Sequence, residues 1–545
     1  MHTVTIVLVL LFAVVMSTFM VRLLPLKIPL PLLQIALGAG LSWLGFQVRF
    51  DSHLFLLLFI PPLLFLDGWR IPKGAFFRDW KTIISLATGL VVFTVIGLGY
   101  FIHWLIPAIP LAVAFALAAI LSPTDPVAVS AIAANSPIHT RLMHILEGES
   151  LLNDASGLVC FSFAVTAMMT GSFAAGDAVL EFFIVAGGGI CTGMAIVWII
   201  GLLNRRLIQR TGEEPAIQIL ISLLIPFAAY LTAEHFGLSG ILAAVVAGIA
   251  MHYHELSGPV LATTRMQRTS VWDTVQTALN GIIFILLGEQ LPGMLASLPD
   301  IVQRNGITHT GYLPLYILVI TLGLGVLRYL WVWISVRTTH FSSNFSPTAE
   351  LENLYLLIMA AAGVRGAITL AGILTLPLLL LDGSAFPARD LAISIAMGVI
   401  MLSLLIASIA LPMLTRHLPP DTCEHQTSHI ESARLEITNA AIRRLETLSA
   451  VSGDDHNQQA IRAAAVSHLL DIYRRRLQHG DPDENTREKY RQVALLEYQL
   501  HIEALRAERD ELYRLRLSGS LDDEAHRKLV REIDLMEASL SLRRI

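Results

Sequence analysis

The segment Leu146-Glu-Gly-Glu-Ser-Leu-Leu-Asn-Asp154 gathers oxygen-bearing side chains at the start of a long apolar run. At about 100° per residue of helix, Glu149, Ser150, Asn153 and Asp154 fall within a single arc of roughly 140°. That arc offers two carboxylates, an amide carbonyl and a hydroxyl, the oxygen ligands a hard monovalent cation takes. A carboxylate removed from water favours its neutral form, so Asp154 is expected to hold either a proton or a cation. Competition for that one group exchanges the two ions without a separate proton path. Glu147, nearer the edge of the run, reads instead as a structural helix-start residue.

The preceding apolar run contains Leu121-Ser-Pro-Thr-Asp-Pro-Val-Ala-Val129. Pro123 and Pro126 remove backbone donors and push the residues before them out of helical conformation, so the helix is predicted to break here. Inside a membrane a break persists only where it is buried in protein or lines a cavity, and paired broken helices recur in transporters. Thr124 and Asp125 would then face the arc of Glu149 to Asp154, with the Asp125 carboxylate capping the positive end of the following half-helix. The competing reading of this segment is a proline-kinked structural helix capped by Asp125. A counterpart is Ala361-Ala-Gly-Val-Arg-Gly-Ala-Ile-Thr-Leu-Ala-Gly372, whose glycines and Thr369 allow a second helix to unwind. The two segments sit where an inverted repeat would place them.

An ionisable group at the bilayer centre costs on the order of 3 kcal/mol by insertion scales, so each one must be paired or working. Arg328 and Arg365 are the cations inside apolar runs, and Asp67 is a further intramembrane acid. One of the two arginines is expected to neutralise Glu149, which then stays charged and leaves Asp154 as the exchanging group.

These residues need a membrane scaffold, and the composition supplies one. The 545 residues are 54% hydrophobic and 15% charged, with a mean hydropathy of +0.63, which excludes an ordinary soluble enzyme. With a bilayer ruler of roughly 20 residues, apolar blocks near 4–23, 28–46, 52–70, 81–105, 108–134, 141–171, 178–203, 215–233, 236–254, 274–292, 311–337, 353–381 and 388–416 give about 13 spans. With the N-terminus outside, one set of loops carries Arg22, Lys27, Arg70, Lys73, Arg78, Lys81, Arg141, Arg205, Arg206, Arg210, Arg265, Arg268, Arg337 and Arg416. The opposite set has only Arg49, Arg304 and Arg389. Cytoplasmic loops are enriched in Lys and Arg, so the N-terminus is expected in the periplasm and the C-terminal tail in the cytoplasm. Met1-His2-Thr3 lacks the basic start of a cleaved leader and reads as part of a retained first span.

Composition changes abruptly after His417, dividing a membrane domain, 1–416, from a polar helical tail, 417–545. In the tail Leu495, Tyr498, Ile502, Leu505 and Leu512 keep a helical spacing that Arg509 interrupts, which favours a short packed bundle or partner-docking helix over a long coiled coil. Gly480–Asn485 and Ser518–Asp523 read as breaks between helices. Cys160, Cys191 and Cys423 have no partner spacing, so no disulfide or zinc site is expected. No basic stripe points to nucleic acid and no motif to catalysis or a cofactor.

Taken together, Pro61-Pro-Leu-Leu-Phe-Leu-Asp-Gly-Trp69, Ser122-Pro-Thr-Asp-Pro-Val-Ala128, Gly148-Glu-Ser-Leu-Leu-Asn-Asp154 and Gly363-Val-Arg-Gly-Ala367 resemble, in order and spacing, the sodium/proton exchangers of the monovalent cation:proton antiporter-1 family. The resemblance covers about residues 50 to 416. It implies an all-α membrane fold with inverted repeats and two crossed, interrupted helices, working by alternating access as a homodimer in the bacterial inner membrane. It implies exchange of Na+, or K+ or Li+, for H+, with Asp154 the carrying carboxylate. Asn153 beside it gives the Asn-Asp form of electroneutral exchangers. Glu149, Ser150, Thr124 and Asp125 would complete the site, the metal ion resting on Asp154, Ser150 and Thr124. Arg328 would pair with Glu149, Arg365 would be the second intramembrane arginine, and Asp67 would line the entry funnel. The tail would bind a regulatory ligand or partner. Asn280 and Glu289 of the tenth run stand outside this pattern. A K+/H+ exchanger, a cation channel and a membrane sensor remain the alternatives.

Overall fold

Among the described residues the apolar runs become helix apart from Leu376–Leu381, and the interruptions fall at prolines and glycines. The computed structural model describes residues 2–23, 28–46, 48, 52–133, 140–171, 175–256, 261–304, 312–338, 349–417, 424–449, 465–474, 484–517, 526, 529–530 and 532–537. In chain order the membrane unit contains α1 (His2–Leu23), α2 (Leu30–Trp43), α3 (Ser52–Arg70), α4 (Lys73–Arg78), α5 (Trp80–Ile84), α6 (Val91–Leu105), α7 (Leu111–Leu121) and α8 (Pro126–Ala133). It continues with α9 (Thr140–Thr170), α10 (Ala175–Thr211), α11 (Pro215–His235), α12 (Gly240–Leu256), α13 (Ala262–Arg304), α14 (Tyr312–Thr338), α15 (Ala349–Ala361), α16 (Ala367–Leu374) and α17 (Arg389–Thr415). A π-helical turn, Ser85–Leu90, joins α5 to α6 into one rod. Among the described residues, eight helices are long and apolar enough to cross a membrane, and the shorter apolar helices include Leu30–Trp43 and Leu111–Leu121. The architecture is thus the expected all-helical one, although these lengths do not by themselves fix a count of thirteen.

Two departures have local causes. The twelfth run was expected to stay helical to 381, but α16 stops at Leu374. Pro377 disfavours helix at Leu376, and Arg389 takes the freed carbonyls, donating from Nε to Leu376 O at 2.9 Å and from Nη2 to Leu374 O at 3.4 Å. The tenth run gives a helix of 43 residues, so Arg265 and Arg268 are not loop residues. The carboxylate of Glu213 holds that helix's start, accepting from Leu261 N at 3.1 Å and Thr264 Oγ1 at 2.7 Å. Arg268 is consequently buried beside it.

The membrane unit packs as two groups of helices. In one, α2 lies along α13, α3 along α12, and α10 along α11 and α12; in the other, α7 packs on α6 and α9, and α17 on α14, α15 and α16. Glycines set the first group's spacing. A Cβ on Gly38 would overlap the Ile285 carbonyl, one on Gly288 the Ile35 carbonyl, and one on Gly248 the Phe65 carbonyl. Such close backbone approach maximises dispersion where lipid removes any hydrophobic drive between helices. The groups meet where α3, α12 and α13 touch α9, α16 and α17.

Residues 422–545 form a separate unit. It contains α18 (Glu424–Ser449), α19 (465–474), α20 (Glu484–Leu517) and a helical stretch at 532–537. Arg509, the residue that interrupts the apolar stripe, pairs with Asp534 at 2.6 Å and with Glu537. Leu505 and Ile533 are buried. Glu484 and Asn485 open α20, while 480–483, Ser518–Asp523 and Cys423 lie outside the described residues.

Candidate ion site

The proline pair ends α7 at Leu121 and restarts the chain as α8 at Pro126; the glycines around Arg365 do the same between α15 and α16. The two gaps cross. Asp125 N donates to Val364 O at 2.8 Å, so each unwound strand satisfies a backbone group of the other. Four half-helix ends converge there, and their dipoles require opposite charges. Asp125 serves the positive ends: its Oδ1 accepts from Ala128 N of α8 at 3.3 Å, and its carboxylate rests on Gly366, which caps α16. Arg365 serves the negative ends, donating from Nε to Leu121 O of α7 at 2.7 Å and from Nη1 to Gly363 O after α15. Its backbone N–H donates to Ser403 Oγ at 3.2 Å.

The expected arc stands on α9 opposite this crossing, with Glu149, Ser150, Asn153 and Asp154 all buried. Of the two arginines it is Arg328 that reaches Glu149, Nη1 to Oε1 at 2.5 Å and Nη2 to Oε2 at 2.8 Å, while its Nε donates to Met359 O at 2.8 Å. Both residues are essentially dry, at 0% and 2% exposure. A bidentate guanidinium in that setting keeps Glu149 ionised.

Thr124 ties the crossing to α9. Its Oγ1 donates to Glu149 Oε1 at 3.3 Å and accepts from Asn153 Nδ2 at 3.0 Å, and its carbonyl accepts from Ser150 Oγ at 2.8 Å. These bonds fix the polarity of the Asn153 amide. Because Glu149 can only accept, Thr124 must donate to it and is left to accept the amide N–H of Asn153. Asn153 Oδ1 therefore points elsewhere, buried and without a hydrogen-bond partner among the described residues.

Asp154 is also uncommitted. It is 5% exposed, and among the described residues it has no hydrogen bond or ion pair. The carboxylates of Asp125 and Asp67 are near enough to act on it electrostatically, and Asp67 in turn feels Glu147 and Arg70. Asp67, near the end of α3, is thus coupled to the acids of the crossing and of α9. A buried carboxylate beside an unpartnered amide carbonyl and two hydroxyl-bearing residues is a donor set for a small cation or a proton, each of which satisfies groups that otherwise lose their solvation at a cost.

Thr124, Asp125, Glu149, Ser150, Asn153, Asp154, Arg328 and Arg365 converge, and Asp67 acts on this group electrostatically. Glu289 stands apart, accepting from Val48 N at 3.1 Å. Met359, Gly366 and Ser403 were not foreseen as site-building residues. Only Gly366 left a trace, as one of the glycines flanking Arg365; a backbone carbonyl and a serine in an apolar run leave none.

Two interrupted helices crossing opposite the buried, unpaired carboxylate of Asp154 within a multi-span bundle define a secondary transporter. The chain belongs to the sodium/hydrogen exchanger family: the profile described as "Sodium/hydrogen exchanger, transmembrane" matches residues 8–417. It is 41% identical over 521 residues to "Uncharacterized Na(+)/H(+) exchanger YjcE" of Escherichia coli (strain K12), covering 93% of each chain. It is also 41% identical over 417 residues to "Sodium, potassium, lithium and rubidium/H(+) antiporter" of Bacillus subtilis (strain 168), covering 75% of this chain but only 61% of that one. The fold is that of the sodium proton antiporter MjNhaP1 from Methanocaldococcus jannaschii, with a TM-score of 0.57 at 19% identity, over 77% of this chain and 99% of that one.

Proposed function

We propose that the protein exchanges one monovalent cation, Na+ or alternatively K+ or Li+, for one H+ across the bacterial inner membrane by alternating access, with Asp154 binding either ion in turn. The observation that carries this reading is the unpaired Asp154 beside the unpartnered carbonyl of Asn153, while Glu149 is held charged by Arg328. Asn153, Ser150 and Thr124 supply the remaining oxygens, Asp125 and Arg365 compensate the half-helix ends, and Asp67 conducts ions to the site. One titrating carboxylate trades one charge for one charge, which makes the cycle electroneutral. Cation-rich loops support a periplasmic N-terminus and a cytoplasmic tail, 417–545, in a regulatory role; family resemblance supports a homodimer.

The test is purified protein in vesicles loaded with a pH-sensitive dye, challenged with Na+, Li+, K+ and Rb+ at several pH values. Proton flux is expected on addition of at least one cation, at a rate unchanged when the membrane potential is clamped to zero. A potential-driven current with a pH-independent reversal would instead make the protein a channel. The Bacillus relative's printed range of ions is the reason to include K+ and Rb+.

Gly366→Ala tests the crossing. The added Cβ overlaps the Asp125 carboxylate, so either that group or α16 must move. Exchange is expected to fall by about 10- to 100-fold, the cost of displacing a working group by about 1 Å, with membrane insertion intact. Wild-type rates in this variant would show that the Asp125–Gly366 contact does not govern transport.

A further inference from the structure

The run Leu376–Leu381 is apolar, yet it lies beyond the end of α16 and carries no helix. It forms one arm of a tight hairpin. Leu379 bridges Ala385 in antiparallel register, Leu380 N donates to Ser384 O at 2.8 Å, and Phe386 N to Leu378 O at 3.0 Å. Gly383 makes the turn with a φ of +81°. Successive side chains of such an arm point to opposite faces: Leu380 packs onto the apolar core, while Leu379 and Leu381 point away from it at 56% and 76% exposure, and Leu378 stands at 71%. The tip is polar. Asp382 Oδ1 accepts from Ser384 Oγ at 2.6 Å and Ser384 N at 2.9 Å, and those bonds hold its carboxyl below the ordinary carboxylate range.

Three bare leucines on a water-washed loop would be a standing liability. Here Leu380 N and Phe386 N are bonded across the hairpin, and the hairpin joins the ends of two helices that lie in the membrane. The uncharged leucine arm matches acyl chains and the Asp382–Ser384 tip matches headgroups. We propose that the hairpin of residues 376–386 is a lipid-boundary anchor: Leu379 and Leu381 sit in the bilayer edge and fix the depth of α16. The link to α16 is short and direct, because Arg389 clamps the carbonyls of Leu374 and Leu376. Anchoring the outer end of this half-helix gives the crossing at Val364–Gly366 a fixed point against the membrane.

The experiment uses the full chain in vesicles of phosphatidylethanolamine and phosphatidylglycerol, with Cys160, Cys191 and Cys423 replaced by Ser and spin labels placed through Leu379→Cys, Leu381→Cys or Ser384→Cys. Labels at 379 and 381 are expected to be relaxed by lipid-soluble oxygen and shielded from a water-soluble nickel chelate, with the order reversed at 384. Equal access of the nickel chelate to all three positions would overturn the proposal in favour of an aqueous loop. Shielding from both relaxants would overturn it in favour of a protein cover such as a second copy. In the unlabelled protein, Leu379→Ser combined with Leu381→Ser is expected to lower turnover several-fold with the cation KM unchanged. An unaltered turnover would show that the hairpin does not anchor α16, and Leu379→Ala with Leu381→Ala provides the same reading should the serine pair not insert.

Discussion

Asp154→Asn is expected to reduce cation-driven proton flux by more than about 100-fold, the scale of loss when a charge-compensating group is removed from a dry site. The amide is nearly isosteric with the carboxyl but takes up no proton and offers no negative charge, so a cation entering the site would meet only neutral dipoles. Stability should move the other way. Asp154 has no hydrogen bond or ion pair among the described residues, so the substitution removes a desolvated acid without orphaning a partner, and the thermal midpoint in detergent should hold or rise. Lost exchange with retained stability separates a carrier from a structural residue; normal exchange by this variant would sink the assignment. In the wild-type protein the same competition sets the sign of the pH response. Protons occupy Asp154 as pH falls, so the apparent KM for the cation should rise, approaching about tenfold per pH unit where the protonated form dominates, and should level off at high pH. A KM independent of pH would separate the two ions onto different groups.

Breaking the buried ion pair should have the largest effect on stability. In Arg328→Gln the Glu149 carboxylate loses its counter-charge and keeps its bond from Thr124, and in Glu149→Gln the guanidinium loses its counter-charge and keeps its bond to Met359 O. Leaving one charge of a dry pair uncompensated costs about 3–5 kcal/mol, which should appear as a marked drop in the melting midpoint of the solubilised protein followed by size-exclusion chromatography. The double variant with Gln at both positions contains neither charge and should recover part of the loss. If the single variants melt with the wild type, the pair does not hold α9 to α14.

Much of the site was legible because its causes are local. The periodicity of a helix alone places Glu149, Ser150, Asn153 and Asp154 on one arc, and α9 presents them together. Pro123 and Pro126 break a helix whatever surrounds it, and the gap between Leu121 and Pro126 followed. Where local rules compete with apolarity the reading was poorer: Leu376–Leu381 is hydrophobic enough for a span, and Pro377 with the Arg389 clamp turns it into a hairpin instead. Arg268 likewise looked like a loop cation until Glu213 drew it into the start of α13.

The sequence by itself determined which residues had to be compensated: each acid or arginine inside an apolar run is too costly to leave alone in lipid, so membrane span, broken helices and a charged cluster follow from composition and spacing. Only the tertiary structure decided the partners. From residue chemistry Arg328 and Arg365 were interchangeable candidates for Glu149; their places on α14 and in the gap after α15 give one the carboxylate and the other the carbonyl ends of α7 and α15. The orientation of the Asn153 amide is of the same kind, since it depends on Thr124 arriving from a different helix. Pairing over separations of 29 to 244 residues is a property of packing, which a one-dimensional pattern of polarity does not encode.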